Sequence, residues 1–220
     1  MKCNTMIFDL DGTLTDPKDG ITRCVQYALA NMGIDEPDQE QLVPYIGPPL
    51  AYGFRTFHGI GEDRIPHAIA AYRERFATVG MLENKPYEGI ADLLTALKER
   101  GCRIVLATSK LETYAVQILE HFQMAPHFDF IAGSLLDGSR AEKGAVIAHV
   151  LQTLSLHPSQ ALMIGDTKFD VIGAQENGLD SVAVSYGYGD WRETLAANPT
   201  YTCDSVAALK RLLLEKQTHS

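Results

Sequence analysis

Two aspartates stand two residues apart at the end of an apolar run: Asp9 and Asp11 in MIFDLDGTLTD, residues 6–16. Side chains at positions i and i+2 of an extended chain point the same way, so both carboxylates are expected to face one spot. Like charges this close repel unless a cation binds between them or one carboxylate takes up a proton. A metal-neutralised carboxylate can attack an electrophile, and a protonated one can donate to a leaving group. Taken alone, the pair fits equally well a turn in which aspartates cap backbone amides.

A second acidic pair, Asp166 and Asp170, lies in MIGDTKFDVIGA, residues 163–174. Asp166 ends a predicted strand, and Asp170 follows one helical turn later. Alone, this pattern is typical of ordinary helix capping. Since two strands of one sheet now end in acidic residues at the same edge, the two pairs together would supply the hard oxygen ligands that Mg²⁺ requires.

Hydroxyl and lysine side chains complete the set of candidates. Thr108 and Ser109 in IVLATSK, residues 104–110, are predicted to end a strand beside the free amides of a helix start, which suits an oxyanion cradle and also an ordinary helix cap. Lys143 precedes or opens a predicted helix, where the helix dipole disfavours a lysine. Most such lysines are solvated, but this one could offset a phosphate and several carboxylates.

Short apolar runs alternate with helical patterns through most of the chain. This alternation predicts a doubly wound, Rossmann-like α/β fold with a parallel sheet, whose ligands gather at the carboxyl ends of the strands. Helical stripes with apolar residues three and four apart separate the runs. The predicted strands are 5–10, 102–108, 128–133, 161–166 and 180–186.

One region departs from this alternation of strands and helices: residues 16–86 show helical patterns and no convincing strand. One helical stripe stops at Gly33, and another helix is predicted over 63–80. The segment YIGPPL, residues 45–50, is predicted to be a turn, since its two prolines cannot both sit inside a helix. We therefore expect an α/β core domain of residues 1–15 and 87–220 carrying an all-helical insert of residues 16–86.

The composition of the chain restricts the classes of binding partner that are expected. The chain has 220 residues, a formal net charge of −9 and a sequence pI of about 5.2, so a nucleic-acid backbone is an unfavourable partner. No apolar stretch approaches the ~18–20 residues that span a bilayer, and the amino terminus does not resemble a signal peptide. The scattered cysteines indicate reduced thiols and a cytoplasmic protein: Cys3, Cys24, Cys102 and Cys203.

The four chemical stretches, in this order, resemble the motifs of the haloacid-dehalogenase-like superfamily, in members with a helical cap after the first motif. DLDGT, residues 9–13, is similar to the first motif, Thr108 to the second, Lys143 to the third, and GDTKFD, residues 165–170, to the fourth. Within the superfamily the chain looks closest to the phosphoglycolate-phosphatase and 5'-nucleotidase-like branch. That placement depends on YIGPPL and on SYGYGD, residues 185–190.

The resemblance implies a Mg²⁺-dependent phosphatase that hydrolyses a small phosphomonoester through an aspartyl-phosphate. Asp9 would be the nucleophile, and Asp11 would protonate the leaving alcohol and then activate water. The metal would be held by Asp9, by the backbone carbonyl of Asp11 and by Asp166, with Asp170 as a ligand or a support for the ligands.

Thr108, Ser109 and Lys143 would bind the phosphoryl oxygens. The cap would select the substrate, with Tyr45, Gly47 and Arg55 as the candidate contacts. Looser candidates are Pro48, Pro49 and Arg73, and either a flexible rim or a substrate contact fits Tyr186 and Tyr188. We expect a small phosphorylated metabolite as the partner, no nucleic acid or membrane, and a monomer or homodimer.

Three other activities remain open on the motifs alone. A phosphosugar mutase would use the same aspartate chemistry, and inorganic pyrophosphate is an alternative substrate. A non-enzymatic module phosphorylated on aspartate, similar to a response-regulator receiver, would also gather carboxylates, a hydroxyl and a lysine, although receivers are shorter and lack the insert. Dehalogenases of the superfamily lack an aspartate where Asp11 stands, and the phosphonate hydrolases use a cap lysine that Lys85 matches weakly.

Overall fold

The computed structural model describes residues 4–216, and its central feature is a parallel sheet with helices packed against it. The strands are β1 (Thr5–Phe8), β2 (Thr15–Asp16), β3 (Lys85–Pro86), β4 (Arg103–Leu111), β5 (Phe130–Ser134), β6 (Ala161–Gly165), β7 (Asp180–Val184) and β8 (Tyr201–Cys203). The α-helices are α1 (Lys18–Asn31), α2 (Leu50–His58), α3 (Ile65–Arg75), α4 (Ile90–Glu99), α5 (Glu112–His121), α6 (Lys143–Thr153), α7 (Lys168–Glu176), α8 (Trp191–Ala196) and α9 (Val206–Lys216).

Six of the strands form the sheet, in the order β5-β4-β1-β6-β7-β8. The first strand therefore lies in the middle, paired in parallel with β4 on one side and β6 on the other. Its last residue, Phe8, is in register with Leu106 of β4 and Ile164 of β6. The residues that follow these positions consequently meet at one edge of the sheet, as the doubly wound α/β prediction requires.

Alternate residues of the central strand pack into two cores on opposite faces of the sheet. Met6 and Phe8 belong to one core, which also contains Leu93 of α4. Ile7 belongs to the other core together with Val146 of α6. Both faces of the sheet are thus covered, which explains why its strands are continuously apolar in sequence.

The five predicted strands are all present, with shifted ends. The largest shift is in β4, which runs three residues past the predicted end at residue 108. The short edge strand β8 was not predicted, because a three-residue segment that includes an exposed threonine has no readable periodicity.

A helical segment, called the insert below, lies between β2 and β3. Besides α1, α2 and α3 it contains a 3-10 helix, Gln39–Tyr45, and a π-helical turn, Phe76–Gly80. The expectation of no strand in this region was wrong at its two ends, because β2 and β3 pair antiparallel, with Thr15 opposite Pro86 and Asp16 opposite Lys85. Two-residue strands are too short to show an alternating pattern.

The predicted helical stripes are buried in the insert. In α1 the buried positions include Ile21, Val25 and Leu29, and Gly33 follows with a positive φ of 77°. The helix predicted over 63–80 is α3 followed directly by the π-helical turn. The YIGPPL segment is a turn as predicted, since it leaves the 3-10 helix at Tyr45 and opens α2 at Leu50.

The cysteines that the structure describes, Cys24, Cys102 and Cys203, are free thiols and buried, while Cys3 lies outside the described residues. No helix in the described part of the chain combines the length and the apolar character needed to cross a membrane.

Candidate active site

Asp9 and Asp11 directly follow β1, and both are buried. The backbone N–H of Asp9 donates to the carbonyl of Ile164 at 2.9 Å, so it continues the sheet pairing by one residue. Gly12 then turns the chain with a φ of +80°, and a Cβ at this position would lie 2.3 Å from Asp166 Oδ2. Only glycine allows the chain to turn this tightly against the second acidic segment.

Three buried carboxylates meet at this edge: Asp9, Asp166 and Asp170 each offer an oxygen within 4.8 Å of the others. Asp166 Oδ2 accepts hydrogen bonds from the backbone N–H groups of Tyr188, at 2.8 Å, and Gly189, at 3.1 Å. Asp170 lies in the first turn of α7, where its Oδ2 accepts from the backbone N–H and the hydroxyl of Thr167. The helix cap predicted for this motif therefore exists, and it fixes Asp170 inside the cluster.

Lys143 is the first residue of α6 and points into the cluster with 3% of its side chain exposed. Its Nζ lies 2.6 Å from Asp9 Oδ1 and 2.9 Å from Asp170 Oδ1, and it donates to the carbonyl of Ala107 at 3.0 Å. Burial lowers the pKa of Lys143, but the carboxylates of Asp170 and Asp9 outweigh it and raise that pKa above its usual value. The lysine is therefore a fixed positive charge in the site.

One lysine does not balance three carboxylates. Burial raises the pKa of Asp9 to about 7, with a further increase from Asp170, although Lys143 opposes both. Burial also raises the pKa of Asp166 well above its usual range, again with Asp170 contributing. The protein alone therefore favours a proton in the cluster, and any bound cation would take its place.

The donor set fits a divalent cation. Asp11 Oδ1 is buried and accepts no hydrogen bond from the described residues, and Asp170 Oδ1 is buried with only the ammonium group of Lys143 near it, at 2.9 Å. Buried carboxylate oxygens without a donor are rare unless an ion or water satisfies them. Hard oxygen atoms contributed by separate strands are the ligands that Mg²⁺ and similar ions take.

Lys110 is a member of the site to which the sequence assigned no role. Its Nζ lies 2.9 Å from Asp11 Oδ2, both side chains being less than 10% exposed. The same ammonium group lies 4.4 Å from the ring centroid of Phe76, which belongs to the insert. The sequence did contain a signal for Lys110. It lies two residues after Thr108 on one strand, and residues two apart on a strand face the same way, so Lys110 could have been assigned to the site.

Thr108 and Ser109 do not lie at a helix start, and this expectation was wrong. The backbone stays extended to the end of β4, with a register shift against β5 after Ala107, and α5 begins only at Glu112. Thr108 is buried, and its Oγ1 accepts a hydrogen bond from the N–H of Lys110 at 3.3 Å. Any anion here would meet the irregular end of a strand and not helix N–H groups.

A cavity of about 190 Å³ lies between the insert and the sheet. Asp11, Ser109 and Lys110 line it from the side of the sheet. The residues that line it from the insert are mostly apolar or aromatic. Five of them are predicted contacts: Tyr45, Gly47, Pro48, Pro49 and Arg73. The others are Ile21, Leu50, Ala51, Ile69, Tyr72 and Phe76.

Among the predicted insert contacts, Tyr45 is buried and its hydroxyl lies 2.8 Å from Nδ1 of His58. Arg55 is not in the cavity. Its side chain is 51% exposed and paired with Glu62, because α2 turns its neighbour Phe54 inward and leaves Arg55 on the solvent side. Arg73 is the insert arginine that lines the cavity.

Several known proteins are similar to this chain in sequence or in fold. Residues 6–184 match the family described as "Haloacid dehalogenase-like hydrolase". A 5'-nucleotidase of Pseudomonas aeruginosa is 47% identical over 208 residues, which are 94% of each chain. Tyrosine-protein kinase PtkA of Mycobacterium tuberculosis is 42% identical over 184 residues, 84% of this chain and 62% of that protein. The crystal structure of a predicted phosphatase from Clostridium acetobutylicum is 43% identical and superimposes with a TM-score of 0.95 over 98% of this chain and 100% of the other.

Proposed function

Because this chain belongs to the haloacid dehalogenase-like hydrolase family, we propose that it is a Mg²⁺-dependent phosphatase acting through an aspartyl-phosphate. The observation that carries the proposal is the position of Asp9. It lies in a buried acidic cluster against Lys143, while Asp11, two residues on, lines the cavity under the insert. A phosphoryl group between these two carboxylates would have a nucleophile on one side and a proton donor on the other.

The first step forms a bond between an Asp9 carboxylate oxygen and phosphorus and breaks the ester P–O bond, while Asp11 gives its proton to the leaving alcohol oxygen. In the second step Asp11 takes a proton from water, the water oxygen attacks phosphorus, and the bond to Asp9 breaks to release phosphate. The ammonium group of Lys143 and the hydroxyl of Thr108 would bind the phosphoryl oxygens as charge develops on them.

Asp9, Asp166 and Asp170, with the backbone carbonyl of Asp11, would hold Mg²⁺. When bound, the ion would neutralise the carboxylates and attract the phosphoryl oxygens. The backbone N–H donors on Asp166 and the helix cap on Asp170 orient these ligands before any cation arrives.

Two features favour a nucleoside 5'-monophosphate over phosphoglycolate as substrate. The cavity next to Asp11 is lined by Tyr72, Phe76 and Tyr114, which suit a flat, weakly polar group better than a small carboxylate. The Pseudomonas aeruginosa relative carries the name 5'-nucleotidase. Arg73, on the cavity wall, would contact the substrate.

We also propose that residues 16–86 form a cap domain over a core of residues 1–15 and 87–220. The paired strands β2 and β3 stand where the two parts of the chain join. An insert over the site would exclude water during the reaction and provide the substrate contacts.

A phosphate-release screen over nucleotides, phosphoglycolate, pyrophosphate and sugar phosphates, with Mg²⁺ or with chelator, tests the proposal. Release that requires Mg²⁺ is expected, fastest with nucleoside 5'-monophosphates. Conversion of a hexose 1-phosphate to the 6-phosphate without release would identify a mutase. A stable phospho-aspartate without turnover would identify a signalling module, and transfer from ATP to a tyrosine peptide would match the name of the mycobacterial relative.

A further inference from the structure

The segment SYGYGD, residues 185–190, touches the acidic cluster through its backbone. The N–H groups of Tyr188 and Gly189 donate to Asp166 Oδ2 at 2.8 and 3.1 Å. Gly187 passes so close that a Cβ there would lie 2.4 Å from Asp166 Oδ2 and 2.3 Å from the carbonyl of Gly12. The orientation of Asp166 therefore depends on where this segment lies.

The side chain of Tyr188 reaches in another direction, to the base of the insert. Its hydroxyl donates to Asp16 Oδ1 in β2. The other oxygen of Asp16 lies 3.2 Å from Nζ of Lys85 in β3, and the N–H of Lys18 also donates to Oδ1, at 3.2 Å. Tyr188 therefore contacts Asp166 with its backbone and the paired strands of the insert with its hydroxyl.

A second tyrosine fastens the same segment. The hydroxyl of Tyr186 donates to the carbonyl of Thr13 at 3.0 Å, and its ring packs edge-on against Tyr87 at 5.0 Å. Tyr186 holds the beginning of the segment, and Asp190 holds its end, because its Oδ1 accepts from the N–H groups of Arg192 and Glu193 in α8. Between these two points, the hydroxyl of Tyr188 makes the side-chain hydrogen bond of the part that bears the two N–H donors. A hydrogen bond to a charged carboxylate is among the stronger ones available to a tyrosine.

We propose that Tyr188 is a positioning residue that couples the base of the insert to the cation-binding carboxylate. With its hydroxyl held by Asp16, its peptide N–H and that of Gly189 keep Asp166 oriented toward Asp9 and Asp170. Residues that orient metal ligands in this way change metal affinity without touching the metal. The inference rests on the proposed Mg²⁺ site and adds to it a link to the insert.

The test is the affinity of the whole protein for Mg²⁺, measured by isothermal titration calorimetry without substrate. Tyr188→Phe keeps the ring and both N–H donors and removes only the hydroxyl, so we expect affinity to fall roughly tenfold. Asp16→Ala removes the acceptor together with its contacts to Lys85 and Lys18. Adding Tyr188→Phe to Asp16→Ala should cause no further loss of affinity, because the link is already broken. Saturating Mg²⁺ should restore the kcat of Tyr188→Phe.

Tyr27→Phe is the matched control. It removes a hydrogen bond of the same kind within the insert, which the Tyr27 hydroxyl donates to Glu74 Oε1 at 3.0 Å. It should leave Mg²⁺ affinity unchanged. Unaltered affinity in Tyr188→Phe would overturn the inference, and so would additive losses in the double variant. If Tyr188→Phe does not fold, Asp16→Ala alone reports on the link. A wild-type protein that binds no divalent cation would contradict the proposed function first, and the inference with it.

Discussion

Lys143 Nζ lies 2.6 Å from Asp9 Oδ1, and both side chains are less than 5% exposed. Removing one partner of a buried ion pair leaves the other charge without compensation, which typically costs about 3–5 kcal/mol. Lys143→Met should therefore lower the free energy of unfolding by several kcal/mol and abolish most phosphate release. Urea denaturation measures the first effect.

Lys98→Met provides the comparison for this variant. Lys98 pairs with Asp129 at 2.8 Å, but both side chains are more than a third exposed. An exposed pair contributes only about 0–1 kcal/mol, so this variant should unfold close to wild type. Equal losses in the two variants would contradict the assigned importance of the buried pair.

Asp9→Asn should lower kcat by about 10⁴-fold or more, because an amide cannot form the aspartyl-phosphate. The change is isosteric, so the circular dichroism spectrum should stay that of wild type. Steady-state phosphate release with the best substrate of the screen measures the effect. Near-full turnover would rule out Asp9 as the nucleophile.

The contribution of Asp9 to the stability of the metal-free protein should fall as pH rises from about 4 to about 7. Burial raises the pKa of Asp9 from 3.8 in the unfolded chain to about 7, so in this window the folded state binds more protons than the unfolded state. The contribution of Asp9 is present below pH 4 and lost as pH rises through its folded pKa. Urea unfolding with chelator, at several pH values, should show a steeper decline for wild type than for Asp9→Asn.

Lys110→Met should reduce kcat/KM by about tenfold to a hundredfold, because Asp11 loses the cation that holds it for proton transfer. Methionine keeps an unbranched side chain over Phe76. An aryl phosphate with a good leaving group needs less help from an acid, so its kcat/KM should fall less than that of an alkyl phosphate. The same loss on both substrates would indicate that Lys110 acts on binding alone.

The two insert arginines should behave differently. Arg73→Ala removes a cation from the cavity wall and should raise KM by about tenfold, since one charged contact is worth roughly 1.5–3 kcal/mol. Arg55→Ala, a change of the same size on the exposed side of α2, should leave KM within about twofold. KM values of both variants for one nucleotide measure these effects. A larger increase in KM for Arg55→Ala than for Arg73→Ala would show that the cavity is not the substrate site.

Local patterns were sufficient to predict most of the sheet and the acidic edge. Asp9 could be placed from the end of an apolar strand, and Asp166 from the rule that parallel strands end at one edge. Asp11 was expected to face the same spot as Asp9, but its carboxylate lies outside the cluster of three and pairs with Lys110. Lys143 needed its place in the order of motifs, because a lysine at a helix start is otherwise expected in solvent.

Contacts between distant parts of the chain could not be predicted from local sequence patterns. The hydroxyl of Tyr188 meets Asp16 across 172 positions, and nothing local to either residue indicates the other. Arg55 lies on the exposed side of α2, and the packing of the insert decides which side that is. The four-residue spacing between Ala51, which lines the cavity, and Arg55 did not predict this position. The length of β4 was missed because a threonine, a serine and a lysine at a strand end look like a cap.

The pairing of Thr15 with Pro86 means that the chain departs and comes back at adjacent points. As long as Asp16 and Lys85 are kept, everything between these two residues could be exchanged for a shorter or longer stretch without altering the register of the sheet strands. Evolution or protein engineering could thus change which substrate is recognised while the catalytic side chains keep their positions. A chimera carrying the corresponding stretch of a relative, joined at these two residues, should retain chemistry and change its preference.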